Sequence, residues 1–215
     1  MAGTARVIVL GVLVSGSGTN LGAILDAIER GRLAARVAVV VSNKAGAGAL
    51  ERAARARVPS VVIDHKAHAS REAFDQALVD TLRAHGVEWV VLAGFMRIVT
   101  PVLLSAFPMR VVNIHPALLP SFPGVDAQKQ AFDHGVRVTG CTVHLVDSGT
   151  DTGPIVAQRA VPVLDGDDVE SLKLRVLEAE HALLPEVLQW IAEGRVTVDL
   201  GEGRPRVKLG KPALE

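Results

Sequence analysis

The chain has 215 residues, enough for one full-sized domain with its own core or for two small ones. Hydrophobic residues make up 49% and charged residues 21%, which excludes a disordered or collagen-like chain. Lys+Arg and Asp+Glu each number 23, and the resulting zero net charge argues against a broad basic surface for nucleic acid.

The single cysteine, Cys141, leaves no intramolecular disulfide and no Cys-rich metal centre, and fits a reducing cytoplasm. No apolar run approaches the roughly 18–20 residues that cross a bilayer, so no membrane partner is expected. Aromatic residues are only 3%, so the core must be aliphatic.

In chain order, Val7–Val14 is a continuous apolar run closed by Ser15-Gly16-Ser17-Gly18. Arg36–Val41, Ser60–Ile63, Trp89–Ala93 and Val111–Ile114 are similar short β-branched runs. Helical stretches lie between them, at Asn20–Gly31, Ala47–Arg57, Arg71–His85 and Pro101–Phe107. Strands apolar on both faces that alternate with helices predict a parallel sheet covered on both sides. Beyond residue 140, Cys141–Val146 and Ile155–Val163 follow without a helix between them, so this half of the sheet is expected to be mixed. Asp167 followed by Glu170 predicts a capping box opening a helix at Asp168–Glu193. Val196–Leu200 and Arg206–Leu209, joined through Gly201-Glu202-Gly203, predict a hairpin. The expectation is one domain over 1–215, with its core at about 7–195 and a tail at 196–215. Its fold class is α/β: a Rossmann-like, doubly wound, mostly parallel sheet with mixed C-terminal strands.

Strand, then Gly16-Ser17-Gly18-Thr19-Asn20, then helix is an arrangement that binds phosphate on backbone N–H groups. It is not a P-loop, since Ser17-Gly18 follows Gly16, and the dinucleotide fingerprint fails at Leu21. In Asn113-Ile114-His115-Pro116, residues two apart on a strand share a face, and Pro116 ends the strand. An amide and an imidazole therefore stand together at the carboxyl end of a strand, where open α/β sheets bind ligands. Asp151 sits in a glycine-bearing loop at a sheet end. Placed against His115, its carboxylate is expected to raise the histidine pKa. Asn113 and a charged His115 would then donate to an oxyanion, which suits acyl transfer to an amine without a covalent enzyme intermediate. His65, His68, His85, His134 and His181 read as loop or helix-surface residues, and His144 as one alternating within a strand. Glu180 has Val176, Leu177, Leu183 and Leu184 as its helical neighbours, so it is expected on an inward face with either an Arg or a substrate group as partner.

Several stretches together resemble the glycinamide ribonucleotide formyltransferase family. They are Val14–Leu21, Val41-Ser42-Asn43-Lys44, Leu92–Ile98, Asn113–Pro120 and Asp151-Thr152-Gly153-Pro154, collinear from about residue 7 to about 195. The resemblance implies a formyl donor, 10-formyltetrahydrofolate, as co-substrate with no metal, and a catalytic trio of Asn113, His115 and Asp151. It implies that Gly18, Thr19 and Asn20 hold the ribonucleotide phosphate and that Glu180 contacts the ribonucleotide. Arg71, Met96, Arg97, Ile98 and Val99 would line the folate site together with Asn113, with the backbone around Val146 and Ser148 near the pterin. Partners would be these small molecules, with no nucleic acid and no membrane; no oligomeric state is implied. Asp126 departs from the histidine that many members carry after the Pro-Gly, and it receives no role. Two relatives compete. A methionyl-tRNA formyltransferase would add a C-terminal domain and a basic surface, and a formyltetrahydrofolate deformylase would add an N-terminal regulatory domain. A silent folate- or nucleotide-binding regulator is the reading from another class, and the intact trio argues against it.

Overall fold

A computed structural model describes residues 6–201 and 203–211. Seven strands form one sheet: β1 (Ile8–Val14), β2 (Ala35–Ser42), β3 (Ser60–Val62), β4 (Trp89–Leu92), β5 (Val111–His115), β6 (Val138–Leu145) and β7 (Ile155–Pro162). Their spatial order is β3-β2-β1-β4-β5-β6-β7. The first five strands are parallel, and β6 and β7 pair antiparallel, as the change of pattern after residue 140 implied. A separate hairpin pairs β8 (Val196–Asp199) with β9 (Arg206–Leu209). Glu202, which the sequence reading placed in its turn, lies outside the described residues.

Six α-helices accompany these strands among the described residues: α1 (Thr19–Glu29), α2 (Gly48–Arg55), α3 (Arg71–Ala84), α4 (Pro101–Ala106), α5 (Ala127–Asp133) and α6 (Val169–Ala192). Alternation along each strand divides the core into two layers. Val12 and Val14 of β1 pack with Leu21 and Ile24 of α1 and with Leu184 and Leu188 of α6. Leu13 faces the other way, onto Phe74, Leu78 and Leu82 of α3 and Leu103 of α4. Both sheet faces are thus covered, which is why these strands are apolar throughout.

Two expectations need correction. The segment before β6 holds α5, which was not expected; its seven residues bury only Ala127 and Ala131, too short an apolar stripe to register as helical period. The capping box belongs to Asp168 and Ser171, not to Asp167 and Glu170. Asp168 Oδ1 accepts from Ser171 N–H at 2.7 Å, and Ser171 Oγ receives the Asp168 N–H at 3.0 Å. Asp167 is engaged elsewhere, by Arg175, whose guanidinium donates to both carboxylate oxygens at 2.6 and 2.7 Å. That fork holds the Asp167 carboxyl far below the usual carboxylate range.

Candidate active site

The strand order reverses between β1 and β4, which opens a crevice at the carboxyl edge of the sheet. The loop after β1 begins there. Gly18 caps α1 with φ +70°, and a Cβ at this position would stand 2.5 Å from Ala49 Cβ and 2.6 Å from Ala49 Cα. Only glycine combines this left-handed backbone with the close approach of α2. No side chain caps α1, so its leading N–H groups have no side-chain acceptor. Asn20 turns inward instead, donating through Nδ2 to Glu180 Oε2 at 2.9 Å. The partner of Glu180 is therefore an amide, not an arginine. Burial drives the Glu180 carboxyl up to about 7, and the Asn20 bond opposes this only in part. Asn20 Oδ1 remains buried with no hydrogen-bond partner.

The loop after β4 is tied to the same crevice. Ser15 N–H donates to the Gly94 carbonyl, Met96 N–H donates to Ser15 Oγ at 2.8 Å, and Ser15 Oγ donates to Asn43 Oδ1 at 2.7 Å. Asn43 of Val41–Lys44 thus braces the ends of three strands through Ser15. Below it, Arg71, Arg97 and Ile98 join His65, His68, Ser70 and Phe74 around a pocket of about 220 Å³. Met96 is largely exposed beside it, whereas Val99 is buried in the layer of α3 and α4. The buried carboxylate of Asp75 accepts from Thr100 N–H and anchors this loop to α3. Val146 is half-buried and receives no polar side chain; its N–H donates to the Val111 carbonyl, and Ser148 lies exposed in the following turn.

Asn113, His115 and Asp151 meet at the end of β5. His115 Nδ1 stands 3.3 Å from Asp151 Oδ2, with the ring 4% exposed. Asp151 also accepts from Gly124 N–H at 2.8 Å. The expected rise in the His115 pKa does not occur. Burial pushes the ring below its ordinary value, the Phe122 carbonyl and Asp151 pull it upward by less, and His144 adds to the lowering. Desolvation outweighs the carboxylate because the imidazolium would have to exist almost without water. For Asp151 the balance is opposite: burial alone would raise the carboxyl, but the adjacent His144 ring, the Gly124 N–H bond and the nearby His115 together hold it low.

His144 is the residue that the sequence reading missed. It lies opposite Asn113 in the β5–β6 register and is 2% exposed. Its Nδ1 donates to the Leu145 carbonyl at 2.9 Å, which leaves Nε2 to accept from Asn113 Nδ2 at 3.0 Å. Nε2 also lies 3.7 Å from Asp151 Oδ1. The available signal was a histidine inside an apolar strand, which demands a polar partner. His115 Nε2, for its part, donates to the Phe122 carbonyl at 2.9 Å, so the loop before α5 occupies the donor that a ligand would use.

Known proteins bear on this arrangement. A family model described as formyl transferase matches residues 6–188. The chain is 47% identical over 192 residues to a trifunctional purine biosynthetic protein adenosine-3 of Chironomus tentans, covering 88% of this chain but only 14% of that protein. It is 42% identical to the phosphoribosylglycinamide formyltransferase of Bacillus subtilis over 83% of this chain and 91% of that one. The crystal structure of glycinamide ribonucleotide transformylase 1 from Symbiobacterium toebii superposes with a TM-score of 0.93 at 53% identity, covering 97% of this chain and 96% of that one. The chain belongs to the formyl transferase family, in its phosphoribosylglycinamide formyltransferase branch.

Proposed function

We propose that the chain transfers the formyl group of 10-formyltetrahydrofolate to the primary amine of glycinamide ribonucleotide, a step of purine biosynthesis. The observation that carries this reading is the meeting of Asn113, His115 and Asp151 at the end of β5. The first helix would receive the ribonucleotide phosphate on the N–H groups of Gly18, Thr19 and Asn20. Glu180, whose carboxyl burial pushes up to about 7, would accept from a hydroxyl or amine of the ribonucleotide. The folate would occupy the pocket of Arg71, Arg97 and Ile98, flanked by Met96 and Val99, with its pterin toward the backbone of Val146 and Ser148.

The amine attacks the formyl carbon, a C–N bond forms, and negative charge moves to the formyl oxygen. The N–H of Asn113 that is not given to His144 donates to that oxygen, and so does His115 Nε2 once the Phe122 carbonyl releases it. Asp151 stays ionised and stabilises the ring as it gains charge. Collapse breaks the bond to the folate nitrogen, and the proton lost by the attacking amine passes to that leaving nitrogen. The test is direct: purified protein with both substrates in EDTA-containing buffer should give formylated ribonucleotide and tetrahydrofolate. Product formed only with ATP and formate would overturn the reading.

A further inference from the structure

A second basic region lies along α1, outside the trio and the folate-side pocket. Thr19, Gly22, Ala23 and Asp26 recur at helical spacing and form one face of α1. With Arg30 and Arg32 after the helix, Arg52 of α2 and His181 of α6, they line a groove of about 290 Å³. Three arginines and one carboxylate, Asp26, line the groove, and Glu178 lies near His181 outside it. Among the described residues, none of the three arginines has a carboxylate within ion-pair distance; even Asp26 in the same groove pairs with none of them. Arg52 uses Nε on the Ser17 carbonyl at 3.0 Å, which fixes its fork while leaving its terminal nitrogens without a protein acceptor. His181 Nε2 is buried and has no hydrogen-bond partner. Guanidinium groups that lack a protein acceptor offer charge-assisted hydrogen bonds to an acceptor-rich anion.

We propose that this groove is a binding site for a small phosphoryl anion, inorganic diphosphate or a ligand of that class, separate from the site of formyl transfer. Guanidinium forks match phosphoryl oxygens in pairs, and the terminal nitrogens of Arg52, which have no protein acceptor, are left to receive them. The size sets the class. Its volume of about 290 Å³ falls just below the roughly 300–1,000 Å³ of small-molecule pockets, which suits a compact anion in preference to a whole nucleotide. Thr19 borders both this groove and the phosphate loop, so an anion here would lie beside the substrate phosphate without replacing it.

The experiment follows the His181 ring signal by NMR, assigned by its loss in His181→Gln, while the intact chain is titrated with inorganic diphosphate and, separately, with ADP. Diphosphate should shift the signal saturably, and ADP should bind no more tightly. Arg30→Gln/Arg32→Gln should weaken diphosphate binding by about tenfold or more, as expected for loss of charge-assisted hydrogen bonds. Arg30→Lys/Arg32→Lys should weaken it less. The double Gln variant should keep the wild-type KM for the ribonucleotide. Absence of a saturable shift, an equal shift in the double Gln variant, or much tighter ADP binding would each overturn the proposal. A rise in the ribonucleotide KM that parallels the loss of diphosphate binding would overturn it too, since the groove would then be part of the substrate's own subsite. Absence of formyl transfer would sink the proposed reaction while leaving the binding measurements intact.

Discussion

Asn20 and Glu180, 160 residues apart in sequence, form a buried hydrogen bond of 2.9 Å that joins the first turn of α1 to the middle of α6. It places a carboxylate beside the glycine loop in surroundings that favour its protonated form. This pair makes the crevice at the start of α1 sensitive to pH.

Its consequence for stability has a definite sign. Burial raises the Glu180 pKa from 4.5 to about 7, so between these values the folded state holds more of the proton than the unfolded state. Stability from this group therefore falls as pH rises through that window, by at most roughly 3 kcal/mol. His115 opposes it, because a ring held below its ordinary pKa loses stability as pH falls. The difference between wild type and Glu180→Gln isolates the carboxyl: denaturant unfolding from pH 4.5 to 7.5 should show the wild type losing ground to the variant. A constant difference across that range would show that Glu180 ionises normally.

Gly18→Ala should damage the loop before α1 through one identifiable collision. The new methyl meets Ala49 at 2.5 Å, on a backbone at φ +70°. The left-handed backbone alone costs about 1 kcal/mol for alanine, and the collision adds to it. Ribonucleotide KM should rise with little change in folate KM. Ala49→Gly introduced into the same chain should recover part of both stability and KM, since it removes the struck methyl. Lack of any recovery by thermal melting and kinetics would place the damage elsewhere.

Substitutions in the trio should separate by role. Asn113→Ala should lower kcat by about 10²–10³-fold, the usual loss of one oxyanion donor, and His115→Ala by at least as much. Asp151→Asn withdraws the carboxylate that partly offsets burial, so the His115 pKa, already low, should fall further. NMR titration of the ring in both proteins reads this directly; an unchanged or higher value would show that the two groups are not coupled.

His144→Phe tests the partner that the register of β5 and β6 supplies. It leaves Asn113 Nδ2 without its acceptor, so the amide is no longer held toward the site. The expected result is a fall in kcat of about tenfold or more, the loss typical of a positioning hydrogen bond, with ribonucleotide KM little altered. His144→Gln, which retains an acceptor, should restore part of the rate. Full activity in the Phe variant would mean that Asn113 orients itself without help.

Asp168→Ala removes an N-cap whose side chain accepts from Ser171 N–H, and should cost about 1 kcal/mol. Chemical denaturation would reveal it as a lowered midpoint with an unchanged slope. Glu170→Ala, by contrast, touches no capping bond and should have a much smaller effect; equal losses would contradict the cap.

The fold was legible because its signals are local. Continuous apolar runs mark β1, β2, β4 and β5 as strands covered on both faces, and helical period marks α1, α3 and α6 between them. Asn113 and His115 could be placed side by side because strand residues two apart share a face, and Gly18 because a strand-to-helix turn of this form needs glycine. What only the tertiary structure decided is pairing across distance and the balance of burial against charge. The sequence pattern contains neither the register that sets His144 opposite Asn113 nor the packing that sends Asn20 to Glu180. It also brings Asp151 to His115 as an expectation but misjudges the result. A carboxylate's pull on an imidazolium can be anticipated from the residue types, whereas the opposing cost of desolvation depends on how much protein surrounds the ring, which only the packed fold determines.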